Sequence, residues 1–200
     1  MNQLRYLIIN SLPVIRRQKR NKMKRLVYPV ICAAICFASC QKNSSEVTPK
    51  TKNDTTTTST VKSNVTTNLD NTAMLKMVND VRATGCTCGT TAMPPVAPLT
   101  WNDVLASAAL EHSQDMSATG QFSHNSSDGT SFSDRITAAG YTNWRAIGEN
   151  IAFGYTTEQA VFNGWIHSEG HCRNIMNASF KEMGAAKVGT YWTQDFGAKQ

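Results

Sequence analysis

Residues 144–172 read WRAIGENIAFGYTTEQAVFNGWIHSEGHC, and a change of pattern within this stretch decides the fold. Residues 144–152 are typical of an extended strand, and Thr156 with Gln159 forms a capping box that predicts the start of a helix. Gly170 is expected to end that helix. One helical face collects Val161, Gly164, Trp165 and Ser168. A strand followed by a helix is therefore predicted here.

The same alternation of helix and strand continues on both sides of this stretch. Helices are predicted over 72–83 and 101–118, and a short helix from Ser131 to Gly140 opens with a second capping box. Residues 185–188 and 191–196 flank Gly189-Thr190, a dipeptide suited to a two-residue hairpin. The pattern predicts an α+β fold with helices around a small, mainly antiparallel sheet.

The charge of the chain is concentrated at its N-terminus. The whole sequence has a formal net charge of +6, but residues 1–39 contain eight basic residues and no acidic residue. From Cys40 onward the formal charge is −2. Nucleic-acid binding requires a basic patch on the folded domain, so a nucleic-acid partner is not expected.

Residues 1–39 have the features of a signal peptide. Lys24 and Arg25 precede an apolar run over 26–38 that is short for a bilayer span and suits a signal-peptide core. The run ends in Phe37-Ala38-Ser39-Cys40, which resembles a lipobox, so we predict cleavage before Cys40 and acylation of its thiol. The alternatives are an ordinary signal peptide or a signal anchor, with Cys40 unmodified. The sequence also leaves open whether translation starts at Met1 or at Met23.

A polar segment separates the predicted lipid anchor from the folded domain. Residues 40–69 are rich in Ser, Thr, Asn and Lys, a composition too polar to bury a core, so a disordered tether is predicted. Such a tether spans roughly 30 Å root-mean-square. The folded domain is placed at 70–200, outside the cytoplasm and attached to a membrane through the lipid.

Four polar clusters in the domain point to a known family. They are Phe122-Ser123-His124-Asn125, Gly148-Glu149-Asn150-Ile151-Ala152, Trp165-Ile166-His167-Ser168-Glu169-Gly170-His171 and Tyr191-Trp192-Thr193-Gln194-Asp195-Phe196-Gly197. In order and spacing they resemble the CAP superfamily of cysteine-rich secretory, antigen 5 and pathogenesis-related proteins, in particular its bacterial branch. The resemblance implies an α-β-α sandwich and lipid, sterol, glycan or protein ligands.

The resemblance also implies a cavity lined by His124, Glu149 and His171. Family members often carry a second glutamate where this chain has Ser168, and Glu169 follows directly. We therefore include Ser168 and Glu169 among the cavity residues, and whether Glu169 replaces the second family carboxylate stays open.

Imidazole and carboxylate groups allow more than one chemistry at this cavity. His124 and His171 are candidate ligands for a weakly bound divalent cation, zinc or magnesium, although no cofactor is required. The same groups suit a small polar ligand, a structural hydrogen-bond network, or acid–base catalysis. His112 lies on an apolar helical stripe and is interpreted as a core histidine.

We therefore predict an extracytoplasmic, lipid-anchored binding or interaction module. The alternatives are a hydrolase acting through His124, Glu149 and His171, and a scaffold whose cavity only supports the fold. An enzyme is the less favoured interpretation, because the sequence contains no evident activated nucleophile.

Three cysteines remain in the predicted mature chain after Cys40. A disulfide between Cys86 and Cys88 would close a very small ring, so Cys172 is expected to pair with one of them. The sequence leaves open which of the two it is. A three-cysteine metal site is the alternative.

Overall fold

The computed structural model describes residues 61–200. The predicted signal peptide, Cys40 and the tether up to residue 60 lie outside the described residues. Within the described part, no helix is both long enough and apolar enough to cross a membrane.

Five helices and six strands make up the described chain. The helices are α1 (Asn71–Thr84), α2 (Asp103–Thr119), α3 (Phe132–Ala138), α4 (Glu158–Ile166) and α5 (Glu169–Ile175). The strands are β1 (Cys86–Cys88), β2 (Thr91–Met93), β3 (Thr100–Trp101), β4 (Trp144–Phe153), β5 (Glu182–Val188) and β6 (Tyr191–Lys199).

The main sheet has four strands in the order β3-β5-β6-β4. The β5–β6 and β6–β4 pairs are antiparallel, and only the short β3–β5 pair is parallel. The predicted α+β class and the small, mainly antiparallel sheet are therefore confirmed. Strand β4 lies at an edge of this sheet, and β1 and β2 form a separate hairpin.

Helices cover both faces of the sheet. On one face, a Cβ atom at Gly184 would collide with the backbone of Leu105 and Ala106, so α2 lies directly on β5. On the other face, Met183 and Ala185 belong to a buried apolar cluster with residues of α1, α4 and α5, including Trp165. Alternate residues of one strand thus face opposite layers, which is the α-β-α arrangement.

Several predicted element boundaries differ from the observed ones. Helix α4 is capped by Thr157, whose side chain accepts from the Ala160 N–H at 3.2 Å, instead of by Thr156. Gly170 does not end that helix, which stops at Ile166, but lies in the first turn of α5. Trp101 is in β3, because the Asn102 side chain accepts from the N–H groups that begin α2.

Residues 61–69 fall within the predicted tether but pack against the domain. Ser63 donates a hydrogen bond to Asp103 at 2.6 Å, and the Thr67 carbonyl accepts from the Lys187 N–H at 3.0 Å. Thr67 is only 3% exposed. These contacts join individual polar groups to residues far away in the sequence. The composition of the segment therefore does not predict them.

Arg82 is a fully buried cation that fixes the end of α5. Its guanidinium donates to the carbonyls of Ala97, Ile175 and Asn177 at 2.6–3.0 Å. Burial lowers the pKa of Arg82 to about 10. Helix α1 is thereby tied to the chain that leaves α5, and this contact holds α5 beside the edge strand.

Candidate functional site

Glu149 is the centre of a polar network at the edge strand. It lies on β4, and its side chain is 1% exposed. One carboxylate oxygen accepts a hydrogen bond from His124 Nδ1 at 2.7 Å, and the other accepts one from an Arg135 nitrogen at 2.6 Å. Because a carboxylate only accepts, His124 carries its proton on Nδ1 in this contact. The contact thus fixes the orientation of the ring and leaves Nε2 unbonded to Glu149.

Arg135 holds the loop that presents His124. The guanidinium reaches from α3 to the Ser126 hydroxyl and to the carbonyls of His124 and Thr130, at 3.0–3.2 Å. The Ser131 side chain caps α3 as predicted, accepting from the Asp134 N–H at 3.2 Å. The cap fixes the start of α3. Arg135 follows Asp134 in this helix, and its side chain contacts Glu149.

A second buried acid lies opposite Glu149. Asp195 is its partner in the β4–β6 register and is 1% exposed. Its Oδ1 atom has no hydrogen-bond partner among the described residues. Burial, reinforced by the negative charge of Glu149, holds the pKa of Asp195 well above its usual range, while Arg135 opposes this shift. Asp195 therefore keeps its proton to a higher pH than an exposed aspartate does.

His112 lies in the core as interpreted from its helical stripe. It is fully buried, and its Nε2 lies 2.8 Å from the Ser123 carbonyl oxygen. Its Nδ1 has no partner among the described residues. Burial lowers the pKa of His112. The ring therefore supports the base of the loop that carries His124.

His171 and Ser168 line a cavity of about 220 Å³ farther along β4. Apolar groups of Phe122, Ile151 and Trp165 form part of its wall. Burial, followed by the nearby charge of His124, lowers the pKa of His171. His171 is therefore neutral at neutral pH.

His124 and Glu149 line a neighbouring cavity of about 510 Å³. Ile147 and Gly148 of β4 also line it, and Ile151 and Ala152 of the same strand line the first cavity. We call these two cavities together the histidine cleft. His171 and Ser168 line one of the two cavities and His124 and Glu149 the other, and a ligand-binding role for these residues stays a prediction.

Two other candidates lie outside the cleft. The Glu169 carboxylate pairs with Arg173 at 2.7 Å and lies against Gly89 in the β1–β2 turn. These contacts engage the carboxylate away from His124 and His171, and a role for Glu169 in the cavity stays a prediction. His167 is exposed at the end of α4, where its Nδ1 contacts the Asn163 carbonyl at 2.7 Å.

The ligand atoms in the cleft do not form a closed metal cage. Within residues 61–200, a group of three or more candidate ligands whose atoms all lie within 4.8 Å of one another occurs only at Cys86, Cys88 and Cys172. In the cleft, both Glu149 oxygens are already bonded to side chains. The groups left to meet a ligand are His124 Nε2 and the His171 ring.

The structure pairs Cys172 with Cys88, with a Cα–Cα distance of 5.5 Å. Cys86 is left as a half-buried free thiol. The bond connects the β1–β2 hairpin to α5, the helix that carries His171. This observation decides between the two pairings that the sequence left open.

Two residues of the network were not among the predicted site residues. Asp195 lies in one of the four polar clusters and Arg135 in the short helix predicted from Ser131, but their role depends on contacts between elements. The available signal was strand register: the cluster around Glu149 and the cluster around Asp195 both lie on strands that pair with each other.

Comparison with known proteins identifies related chains. The profile of the Cysteine-rich secretory protein family (CAP) matches residues 75–196. Two Bacillus subtilis proteins, the uncharacterized membrane protein YlbC and the uncharacterized protein YkwD, are 36% and 38% identical over 101 residues. Each match covers 50% of this chain but only 29% and 39% of the relative, respectively, so the chain spans well under half of either protein.

Solved structures of two bacterial proteins share the fold. An extracellular protein with an SCP domain from Bacillus anthracis is 25% identical, with a TM-score of 0.54 over 66% of this chain and 43% of that chain. An outer surface protein of Borrelia burgdorferi is 18% identical, with a TM-score of 0.55 over 64% of this chain and 91% of that chain. The second likeness concerns the fold alone.

Proposed function

The chain belongs to the cysteine-rich secretory protein (CAP) family, and we propose that it is an extracytoplasmic binding module whose ligand site is the histidine cleft. The family match and the bacterial relatives confirm the resemblance drawn from the four polar clusters. A shared fold does not define an activity, so the proposal depends on the side chains of the cleft.

The observation that carries the proposal is the complete engagement of Glu149. Its oxygens are bonded to His124 and Arg135, and it is buried, so it acts as an orienting group. A carboxylate that holds one ring nitrogen leaves the other nitrogen directed to a ligand. The His124 side chain is 53% exposed, so a ligand has access to it.

The cleft suits a small ligand with a hydrogen-bonding end and a short apolar part. His124 and the neutral His171 supply polar contacts, and the apolar wall of the 220 Å³ cavity supplies the rest. Pockets of this kind combine an apolar lining with a few placed polar groups. Lipid, sterol, glycan and protein ligands all contain such parts.

A divalent cation is the simplest ligand to test. Two imidazoles without a third protein ligand would hold zinc or magnesium weakly, with water completing the coordination. In the hydrolase alternative, Glu149 would orient His124 as the base without moving a proton itself, and the site would still need a nucleophile or an activated water. Ser168 lines the cavity without a hydrogen-bonded base among the described residues.

A lipid anchor at Cys40 would place the cleft outside the cytoplasm. The supporting observations are the lipobox-like residues 37–40 and the extracellular and outer-surface proteins among the structural relatives. Intact mass of the native protein tests the anchor. A mature chain that begins before Cys40, or at Cys40 without a lipid, contradicts it.

Thermal unfolding with added zinc or magnesium ions tests the cleft. Ligands that bind only the folded state raise the melting temperature. The wild-type shift should disappear in the His124→Ala/His171→Ala double variant and persist in His167→Ala, which changes an exposed histidine outside the cleft. A zinc shift that survives the double variant would exclude the cleft as the zinc site.

Acidity provides a second readout of the same site. A neutral imidazole is the metal ligand, so protonation weakens binding. Because the pKa of His171 lies below its usual value, zinc binding should persist to a lower pH than ordinary histidines allow. Zinc binding that stays unchanged as the pH falls far below the ordinary pKa of histidine would contradict coordination by His171.

A further inference from the structure

Three sulfur atoms meet where the β1–β2 hairpin contacts α5. Cys86 and Cys88 are two residues apart on one strand, so their side chains point to the same side, toward Cys172. The Cys86 sulfur lies 3.6 Å from that of Cys172 and 3.9 Å from that of Cys88. The free thiol is therefore in contact with both sulfurs of the disulfide.

The three sulfurs differ in their access to solvent. Cys88 and Cys172 are fully buried, whereas Cys86 is half-buried. A thiol in solution cannot reach the Cys88–Cys172 bond directly, but it can reach Cys86. Exchange between a thiol and a disulfide depends on such access.

We propose that Cys86, Cys88 and Cys172 form a thiol–disulfide exchange site in which Cys86 connects a buried disulfide to low-molecular-weight thiols in solution. In the first step the Cys86 thiolate attacks the Cys172 sulfur and forms a new S–S bond. The Cys88–Cys172 bond breaks, its electron pair stays on Cys88, and Cys88 takes up the proton that Cys86 released. This step is an isomerisation and needs no oxidant.

The second step brings in the external thiol. Its thiolate attacks the Cys86 sulfur of the rearranged disulfide, and the Cys86–Cys172 bond breaks. Cys172 leaves with the electron pair and takes up the proton released by the external thiol, while Cys86 carries a mixed disulfide. The site is separate from the histidine cleft and does not depend on the function proposed for it.

The proposed exchange depends on where the β1–β2 hairpin lies. It lies outside the main sheet, and glycines with positive φ flank β1 at Gly85 (76°) and Gly89 (61°). In-line attack on the Cys172 sulfur requires a rotation of the Cys86 side chain, because Cys86 and Cys88 lie on the same strand and a shift of β1 would move both sulfurs together. Burial raises the pKa of the Cys86 thiol, which keeps the uncatalysed exchange slow at neutral pH.

A reduction time course on the full chain tests the proposal. The wild type and Cys86→Ser are treated with reduced glutathione, quenched with acid, and mapped by mass spectrometry. We expect glutathione on Cys86 in the wild type, and at least several-fold slower loss of the Cys88–Cys172 disulfide in Cys86→Ser. Equal rates for the two chains, or glutathione mainly on Cys88, would overturn the proposal.

Cys88→Ser provides the complementary variant. It should form a Cys86–Cys172 disulfide, and glutathione should reduce that bond faster than the wild-type bond because Cys86 is accessible. Melting temperatures confirm that each variant is folded before it is compared. Free thiols at both Cys86 and Cys172 in folded, air-oxidised Cys88→Ser would show that the second pairing does not form.

Discussion

At the scale of single residues, the Glu149–Arg135 ion pair sets the electrostatics of the cleft. Both side chains are almost completely buried, with exposed fractions of 1% and 4%. Replacing such a pair by apolar groups can be neutral, but removing one partner leaves an uncompensated buried charge. The shape of the site therefore depends on this ion pair for any ligand.

Glu149→Gln should accordingly destabilise the protein. The Arg135 charge would remain buried without its partner, which costs about 3–5 kcal/mol of unfolding free energy. Glu169→Gln is the matched control, because it breaks the exposed Arg173 pair and should cost at most about 1 kcal/mol. Urea denaturation measures both. Similar losses in the two variants would mean that burial does not strengthen the first pair.

Asp195→Asn should stabilise the protein at neutral pH. The folded state holds the Asp195 proton to a higher pH than the unfolded state, so wild-type stability falls as pH rises from about 4 toward the raised pKa. Asparagine cannot ionise and escapes this loss, so the variant should be more stable than the wild type at pH 7. Urea unfolding at several pH values measures the gain, which should vanish near pH 4. A gain that is independent of pH would contradict a raised pKa.

The same residues mark how far the sequence predicts the site. His124, Glu149 and His171 could be identified because each lies in a short, recognisable motif. Asp195 comes next to Glu149 through the pairing of β4 with β6, and Arg135 reaches Glu149 because α3 packs near β4. Neither contact follows from a local motif. The contacts of Glu169 with Arg173 and near Gly89 could not be read from its motif, because the second depends on how the β1–β2 hairpin packs against α5.

At the scale of elements, local signals predicted the presence of helices better than their ends. The Ser131 capping box marked α3 correctly, since a cap depends on residues three positions apart. Gly170 was misread because glycine is tolerated in the first turn of a helix as well as after its end. The turn at 167–168 that separates α4 from α5 contains neither glycine nor proline.

Close packing between α2 and β5 gives a prediction for a single methyl group. Gly184→Ala would place its Cβ against the backbone of Ala106, and backbone cannot move aside as a side chain can. Overpacking of this kind costs about 1–3 kcal/mol or more. Gly170→Ala is the control, because the space around it in α5 is open and alanine favours a helix by up to about 1 kcal/mol. Thermal melting should separate the two in opposite directions.

At the scale of the whole molecule, residues from both helical layers meet at the sheet edge formed by β4. Strand β4 receives α3 and the His124 loop from one layer and α5 from the other. The second layer is held from outside the sheet by two long-range contacts, the Arg82 side chain and the Cys88–Cys172 bond. The motif resemblance predicted this architecture, and the pattern of helices and strands predicted only its class.

Cys172→Ser tests how much the cross-link contributes to the whole fold. The bond joins residues 84 positions apart, so it restricts a large part of the unfolded chain. In the chain-entropy account, its loss should lower the unfolding free energy by about 4 kcal/mol. Cys86→Ser leaves the bond intact and should stay close to the wild type in urea denaturation. If both variants lose the same amount, packing of the hairpin against α5 rather than the cross-link supports this side of the molecule. If neither loses stability, α5 is held mainly by Arg82 and the apolar cluster around Trp165.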